Sequence, residues 1–407
     1  HLTENQNEVG GLFLYVETKA LQVTLATEKG LIMEKGSVGQ TKRRECMGGG
    51  KMYHERIASV VSVLHDDETI QLLETTSMAK KAILYKAFTH SAKPGDEILV
   101  NETATVLALG TGGMDIVKAV LSEKPVQLKN HNGHIMKARY TPIQHSILSV
   151  EEEKSPYHDL FSEPFHLHGQ PVLLGELHSM VPLAYYVSQV LQSNQTFVAI
   201  FDDKASLPLT LSNQLRELSK QSSFHSITIG QAFGGEYEAV SLPTALQFAV
   251  SKLKADVVMV SLGPGVVGTG TKFGFSGLCM ADWANTIGAL GGTPVWIPRL
   301  SFQDQRERHY GLSHHTRTAL FTFTYAKSLL PIPHLAEEGR QFIQEQLASE
   351  RKLPVNHEVV FADQSREDLV EAALRLSRSE IKTMGRAFSE DTAFFLAVAE
   401  AVTRVVC

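Results

Sequence analysis

From Glu55 onward the apolar positions alternate in short runs separated by polar turns. Ile57 to Leu64, a turn at His65-Asp66-Asp67-Glu68, and Thr69 to Leu73 predict a hairpin. Lys81 to Phe88, Glu97 to Val100, Met114 to Leu121 and Gly133 to Tyr140 continue the series, with a turn at Lys93-Pro94-Gly95-Asp96. Short strands at this spacing predict a small β-barrel or sandwich domain over residues 52–144. Leu107 to Gly113 interrupts them with a glycine loop, expected to be a bulge or corner. Alternation in His134 to Tyr140 puts Lys137 and Arg139 on one face, expected to be solvated.

Residues 145–169, with Glu151 to Glu153, Pro156 and Pro164, show no clear period and are expected to be a linker. The rhythm then becomes strand followed by helix. Pro171 to Gly175 leads to Val181 to Gln192, Thr196 to Phe201 to Leu211 to Lys220, and Ser226 to Gly230 to Leu242 to Leu253. Asp256 to Leu262 leads to Ala281 to Ala289, and Pro294 to Leu300 follows. Such units predict an α/β domain over 170–334 built on a mostly parallel, doubly wound sheet. Thr318 to Ala326 alternates like an antiparallel edge strand. A helical carboxyl-terminal cap is expected over 335–407: Leu335 to Ser349 is helical, Glu358 to Phe361 is a strand, Ser365 and Asp368 open a helix as a capping box, and Ser389 caps Glu390 to Val405.

Composition narrows the class. With 407 residues, 43% of them hydrophobic, the chain can bury two or three cores. A net charge of -6 without a basic cluster argues against a nucleic-acid partner, since phosphate contacts need concentrated Lys and Arg. No apolar stretch reaches the roughly 18 residues of a membrane span, so no membrane partner and a cytoplasmic location are expected. Cys46, Cys279 and Cys407 are too scattered for a disulfide framework, and Cys279 is expected to be a buried thiol. Residues 1–51 lack a sustained period and end in Gly48-Gly49-Gly50. Those glycine codons resemble a ribosome-binding sequence, which predicts that Met52 is the native start and that 1–51 is an upstream leader.

The densest chemistry lies where Val257 to Leu262 empties into Gly263-Pro264-Gly265-Val266-Val267-Gly268-Thr269-Gly270-Thr271-Lys272. Glycines let successive N–H groups converge, so a strand ending in such a loop can cradle an anion. The dinucleotide fingerprint fails because no helix starts within the glycines, and the Walker pattern fails because Lys272 comes one place late. In open sheets ligands bind beyond the carboxyl ends of the strands. That rule gathers Glu176 and His178, Asp202 and Asp203, Gln231 with Gly234 and Gly235, the glycine loop and Arg299. Asp202-Asp203 could hold Mg²⁺, although neighbours on a strand point apart. Glu176 and His178 could form an acid/base pair. His309, His314 and His315 are further acid/base candidates, with His314 and His315 expected to diverge and their spacing matching no zinc motif.

Gly133 to Pro142, Gly230-Gln231-Ala232-Phe233-Gly234-Gly235, Leu262 to Thr271, Gly311-Leu312-Ser313-His314-His315-Thr316 and Ser389 to Phe395 carry a resemblance. From about Met52 to the carboxyl terminus the chain resembles the bacterial family known as domain of unknown function 3866. The resemblance implies no activity and no catalytic residues. The residues themselves predict a small-molecule enzyme, with a phosphorylated or nucleotide-like ligand held at residues 263–272 and charge stabilised by Arg299 or Lys272. The alternatives are a non-catalytic small-molecule sensor and a metal-dependent hydrolase built on Asp202 and His178.

Overall fold

In the computed structural model, residues 53–109, 112–121, 133–205, 207–350 and 357–407 are described. The leader over 1–51, the native start expected at Met52, Cys46, and Gly110 and Thr111 of the early glycine loop lie outside them.

Alternate side chains of five strands turn inward: β1 (Glu55–Asp66), β2 (Ile70–Thr75), β3 (Lys81–Tyr85), β4 (Glu97–Asn101) and β5 (Asp115–Val120). Ala58, Val60, Leu73, Ala82, Leu84, Ile98, Val100 and Val117 meet there in one core. The strands close in the order β1-β2-β3-β5-β4, so the expected barrel or sandwich is a barrel. Thr103–Val106, just before the early glycine loop, makes one turn of helix, α1. The barrel touches the next part of the chain through Arg216, 3.4 Å from Asp67, and through Phe88 edge-on to Phe233.

A two-stranded arm follows, β6 (Ile135–Lys137) with β7 (His145–Ile147). Here the solvated-face expectation for Lys137 is overturned, because its side chain is fully buried. Its ammonium donates to the Gly230 carbonyl at 2.9 Å and the Ala232 carbonyl at 2.8 Å, and lies 3.2 Å from Glu238. Two carbonyl acceptors and the charge of Glu238 make that burial tolerable. The stretch expected to be a linker is also fastened: Glu151 accepts from the Val240 N–H and the Thr244 hydroxyl, and Glu152 from the N–H groups of Ser149 and His134.

The main sheet comprises β8 (Pro171–Gly175), β9 (Phe197–Asp202), β10 (Phe224–Thr228), β11 (Tyr237–Glu238), β12 (Val257–Leu262) and β13 (Thr293–Trp296). After a small hairpin of β14 (Leu300–Ser301) and β15 (Gly311–Leu312), β16 (Leu329–Ile332) and β17 (Glu358–Phe361) complete it. The order is β11-β10-β9-β12-β8-β13-β16-β17, every pairing parallel. Its central strands β8, β9 and β12 are almost wholly apolar because both faces are covered. Val172, Leu174, Val258 and Val260 face one core, and Leu173, Phe197, Val257 and Met259 face the other. Helices α2 (Met180–Leu191) and α3 (Asn213–Leu218) fill the second core, while α4 (Leu242–Ser251) and α5 (Met280–Ala289) fill the first.

Three expectations about later elements fail. The helix after Ser365 has Arg366 as its N-cap with no side-chain cap bond, so Ser365 and Asp368 form no capping box. Thr318 to Ala326 is no edge strand: α6 (His314–Thr318), opened by its Ser313 cap, runs on into a π-helical turn at Ala319–Phe323. After α7 (Glu337–Ala348) and α8 (Glu367–Leu376), the final helix α9 starts at Thr392 and runs to Val406. Its N-cap is therefore Asp391 rather than Ser389; Asp391 accepts from the Ser301 hydroxyl at 2.8 Å and pairs with Arg386 at 2.9 Å. Phe394, Phe395, Leu396 and Val398 of α9 join α2 and α8 in the second core.

The chain leaves β8 toward α2 on one face and leaves the adjacent β12 toward α5 on the other. Their divergence makes the carboxyl ends of these two strands the switch point of the sheet, the place at which open α/β sheets bind ligands.

Replacing Lys137 with Met strands two buried carbonyls and Glu238. Denaturant unfolding is expected to show a loss of about 3 kcal/mol for Lys137→Met, against less than about 0.5 kcal/mol for the exposed Arg139→Met.

Candidate functional site

Three neighbouring strands deliver the polar residues of this switch point. β8 ends at Gly175, so Glu176 is the next residue; β12 opens into Gly263; and β13 leads through Ile297 to Arg299. The β14–β15 hairpin then folds back. The Ser313 N–H donates to the Arg299 carbonyl at 2.9 Å, and the Arg299 N–H donates to the Thr316 hydroxyl at 3.1 Å. These bonds seat the start of α6 against the end of β13.

Glu176 is 2% exposed, and its Oε1 accepts from Arg299 Nη1 at 3.2 Å and from His315 Nδ1. A carboxylate can only accept, so the His315 proton sits on Nδ1 and Nε2 is the free nitrogen. Arg299 Nη1 stands 3.3 Å from that same Nδ1. Burial pushes the Glu176 carboxyl up, but the His315 hydrogen bond and the Arg299 charge outweigh it and hold the group below the ordinary carboxylate range. Its second oxygen, Oε2, is buried without a partner among the described residues. No Cβ would fit at Gly277, where it would lie 2.8 Å from Glu176 Cγ, so the start of α5 approaches Glu176 only because that position is glycine.

The three histidines converge. Ser313 is the N-cap of α6, so His314 and His315 begin a helix, and the divergence expected of strand neighbours does not apply. Their ring centroids are 4.4 Å apart, and His309 is 4.8 Å from His315 and 5.1 Å from His314. His309 Nδ1 shares a 2.7 Å hydrogen bond with the Ser313 hydroxyl. His314 Nε2 is buried and unpartnered among the described residues. Burial lowers His309 to about 3 and His314 to about 4, helped in both by the charges of His315 and Arg299. Phe275 lies flat on His315 at 3.9 Å and 5°.

Phe275 belongs to the far limb of the glycine loop, which is a tight excursion: the Thr269 N–H donates to the Gly274 carbonyl at 2.8 Å, and Gly268 bridges Phe275. Gly265 and Gly270 take φ of +93° and +76°, which explains glycine there. A Cβ on Gly268 would reach the His315 ring at 3.5 Å, and one on Gly270 would reach the Arg308 guanidinium at 3.6 Å. The loop thus lies beside His315 and Arg308. Thr271 accepts from the Gly274 N–H inside the hairpin, and Lys272 sits over the Phe273 ring, exposed at its tip.

Other expected site residues are held elsewhere. His178 Nε2 bonds the Ser212 hydroxyl at 2.6 Å, so Glu176 pairs with His315 instead of its near neighbour. Asp202 accepts from the Trp283 indole at 2.7 Å, and Asp203 accepts from the Gln231 N–H at 2.9 Å and pairs with Lys204. The two carboxylates touch rather than diverge, because Asp203 lies beyond the end of β9. Burial and Asp203 push Asp202 up, countered by the Trp283 bond. Gln231 accepts from the Arg139 N–H, and Gly234 and Gly235 line a hollow with Thr69 and Arg216 beside the barrel. Cys279 is buried, as expected. Phe275, Gly277, Ser313 and Arg308 are the site residues that the sequence reading left out. Larger cavities of about 630 and 750 Å³ lie beside Thr293 and beside Asp391, and His309, His314 and His315 line neither.

Residues 81–402 match the family described as protein of unknown function (DUF3866). The chain belongs to that family. The DUF3866 match takes in Glu176, the glycine loop, Arg299 and all three histidines. No curated protein and no solved structure matches the chain. No helix among the described residues is long and apolar enough to cross a membrane.

His309 and His314 are held neutral far below their ordinary 6.5, so the unfolded chain binds more protons than the folded one as pH falls from 6.5 toward about 3. Stability is therefore expected to be complete above pH 6.5 and to fall through that window. Urea midpoints of the double variant His309→Gln/His314→Gln should fall less steeply there than those of the native chain.

Proposed function

We propose that this DUF3866 chain is an enzyme for a small phosphorylated or nucleotide-like molecule, bound where the glycine hairpin meets the three histidines. The reading rests on one observation: the buried Glu176–His315–Arg299 network at the switch point of the sheet. A buried ion pair contributes little to stability by itself, so its presence at the ligand-binding end is better accounted for by chemistry. His315 is the reacting group, its proton fixed on Nδ1 by Glu176 and its Nε2 left for the ligand. Arg299 compensates the Glu176 charge, and the exposed Arg308 beside Gly270 meets the anionic end of the ligand. A hydrolase built on Asp202 and His178 is less favoured, because Trp283 and Ser212 already hold those groups.

Thermal melting against nucleotides and sugar phosphates tests the ligand class. At a hundred times its Kd, a true ligand stabilises the fold by about 2.7 kcal/mol, and Arg308→Ala or Gly265→Val should abolish most of that shift. A panel without any shift would overturn the reading. With a ligand in hand, His315→Ala is expected to lower turnover roughly 10²–10⁴-fold while the melting shift persists; a bound ligand that is never converted would identify a sensor.

A further inference from the structure

We infer that His309, His314 and His315 bind one divalent transition-metal ion of the zinc type, with Glu176 and Ser313 orienting the ligands from behind. This keeps the location of the function proposed above, on which it rests, but assigns His315 Nε2 to metal ligation in place of direct proton transfer. Among the described residues, these three form the group in which one nitrogen from each ring lies within 4.8 Å of the other two.

The hydrogen bonds behind the rings make the grouping specific. His315 Nδ1 is committed to the Glu176 carboxylate and His309 Nδ1 to the Ser313 hydroxyl, which leaves Nε2 free on each. His314 Nε2, buried and without a partner among the described residues, is the third. Metal-binding histidines characteristically hand their other ring nitrogen to a carboxylate or similar acceptor, which fixes the tautomer and aims the ring. Arg299 approaches the Nδ1 edge of His315 rather than its Nε2 edge, so its charge does not occupy the space between the rings.

The donor set selects the class of ion. Three imidazoles suit zinc and neighbouring transition metals, whereas Mg²⁺ and Ca²⁺ require oxygen ligands. Zinc with three histidines keeps a fourth position for water or substrate. A Zn–N distance of about 2.0–2.1 Å puts tetrahedral ligand nitrogens about 3.4 Å apart. The rings must therefore draw together slightly, with His315 held by its stack on Phe275. A phosphorylated ligand reaching in from the hairpin would place an oxygen at that fourth position.

The test uses the full chain, stripped of metal and titrated with Co²⁺ and then Zn²⁺, read by visible absorption and by metal content after dialysis. One equivalent of Co²⁺ with the intense bands of a four-coordinate site, displaced by Zn²⁺, is expected. His309→Ala and His314→Ala should each weaken binding at least 100-fold, and Glu176→Gln roughly 10–100-fold. His309→Gln and His314→Gln, which keep more of the side-chain volume, repeat the measurement if circular dichroism shows that an alanine variant fails to fold. Binding no tighter than in the histidine variants, a six-coordinate spectrum, or loss in Asp203→Asn in place of His314→Ala would overturn the inference. Metal binding without any response to the phosphorylated panel would overturn the proposed function alone; a response to the panel without metal binding would overturn this inference alone.

Discussion

Glu176 is a carboxylate buried where three strands end, and a buried charge must be answered within reach or it neutralises itself. The answer comes from Arg299, beyond the end of the neighbouring β13, and from His315, on a helix that returns over it. Charge compensation therefore ties β8, the β13 exit and α6 into one unit. Gly277 adds a steric condition from the fourth side, since α5 can begin here only if nothing projects toward the carboxylate.

The rest of the fold makes that arrangement rigid. Side chains on the two faces of β8 and β12 are fully buried in separate cores, so neither strand can slide without emptying both. The small hairpin that carries the histidines back toward Arg299 is pinned by backbone bonds at Ser313 and by the Thr316 hydroxyl. Farther along the same rim, Lys137 fastens the arm after the barrel to the turn following β10. The glycine hairpin is the exposed element among these, closed by its own hydrogen bonds and touching the imidazoles along one side.

Much of this was legible in the chain, and the rest was hidden for definable reasons. Runs such as Val257 to Leu262, apolar but for Ser261, announce strands covered on both faces, and the rule that ligands gather at strand ends already brought Glu176, the glycine loop and Arg299 together. Partnership was not legible. Glu176 and His178 are neighbours in sequence, yet the true partner of Glu176 lies 139 residues away. Two adjacent histidines diverge on a strand and converge at a helix start, and the alternation beyond them gave the wrong element. Lys137 alternates like an exposed residue because periodicity records which side a residue takes, while the carbonyls that accept its protons come from a distant turn.

The position of α9 has a consequence for biosynthesis. Its phenylalanines cover the face of the sheet that also receives α2 and α8, and Asp391 before it anchors Ser301 beside the histidine hairpin. While a ribosome is still adding the intervening residues, β8, β12 and β13 can pair and receive α2 but must leave the part of that face beneath α9 open. A nascent chain in this state offers a broad sticky surface to its neighbours, so chaperone shielding during translation matters most in the interval before α9 emerges.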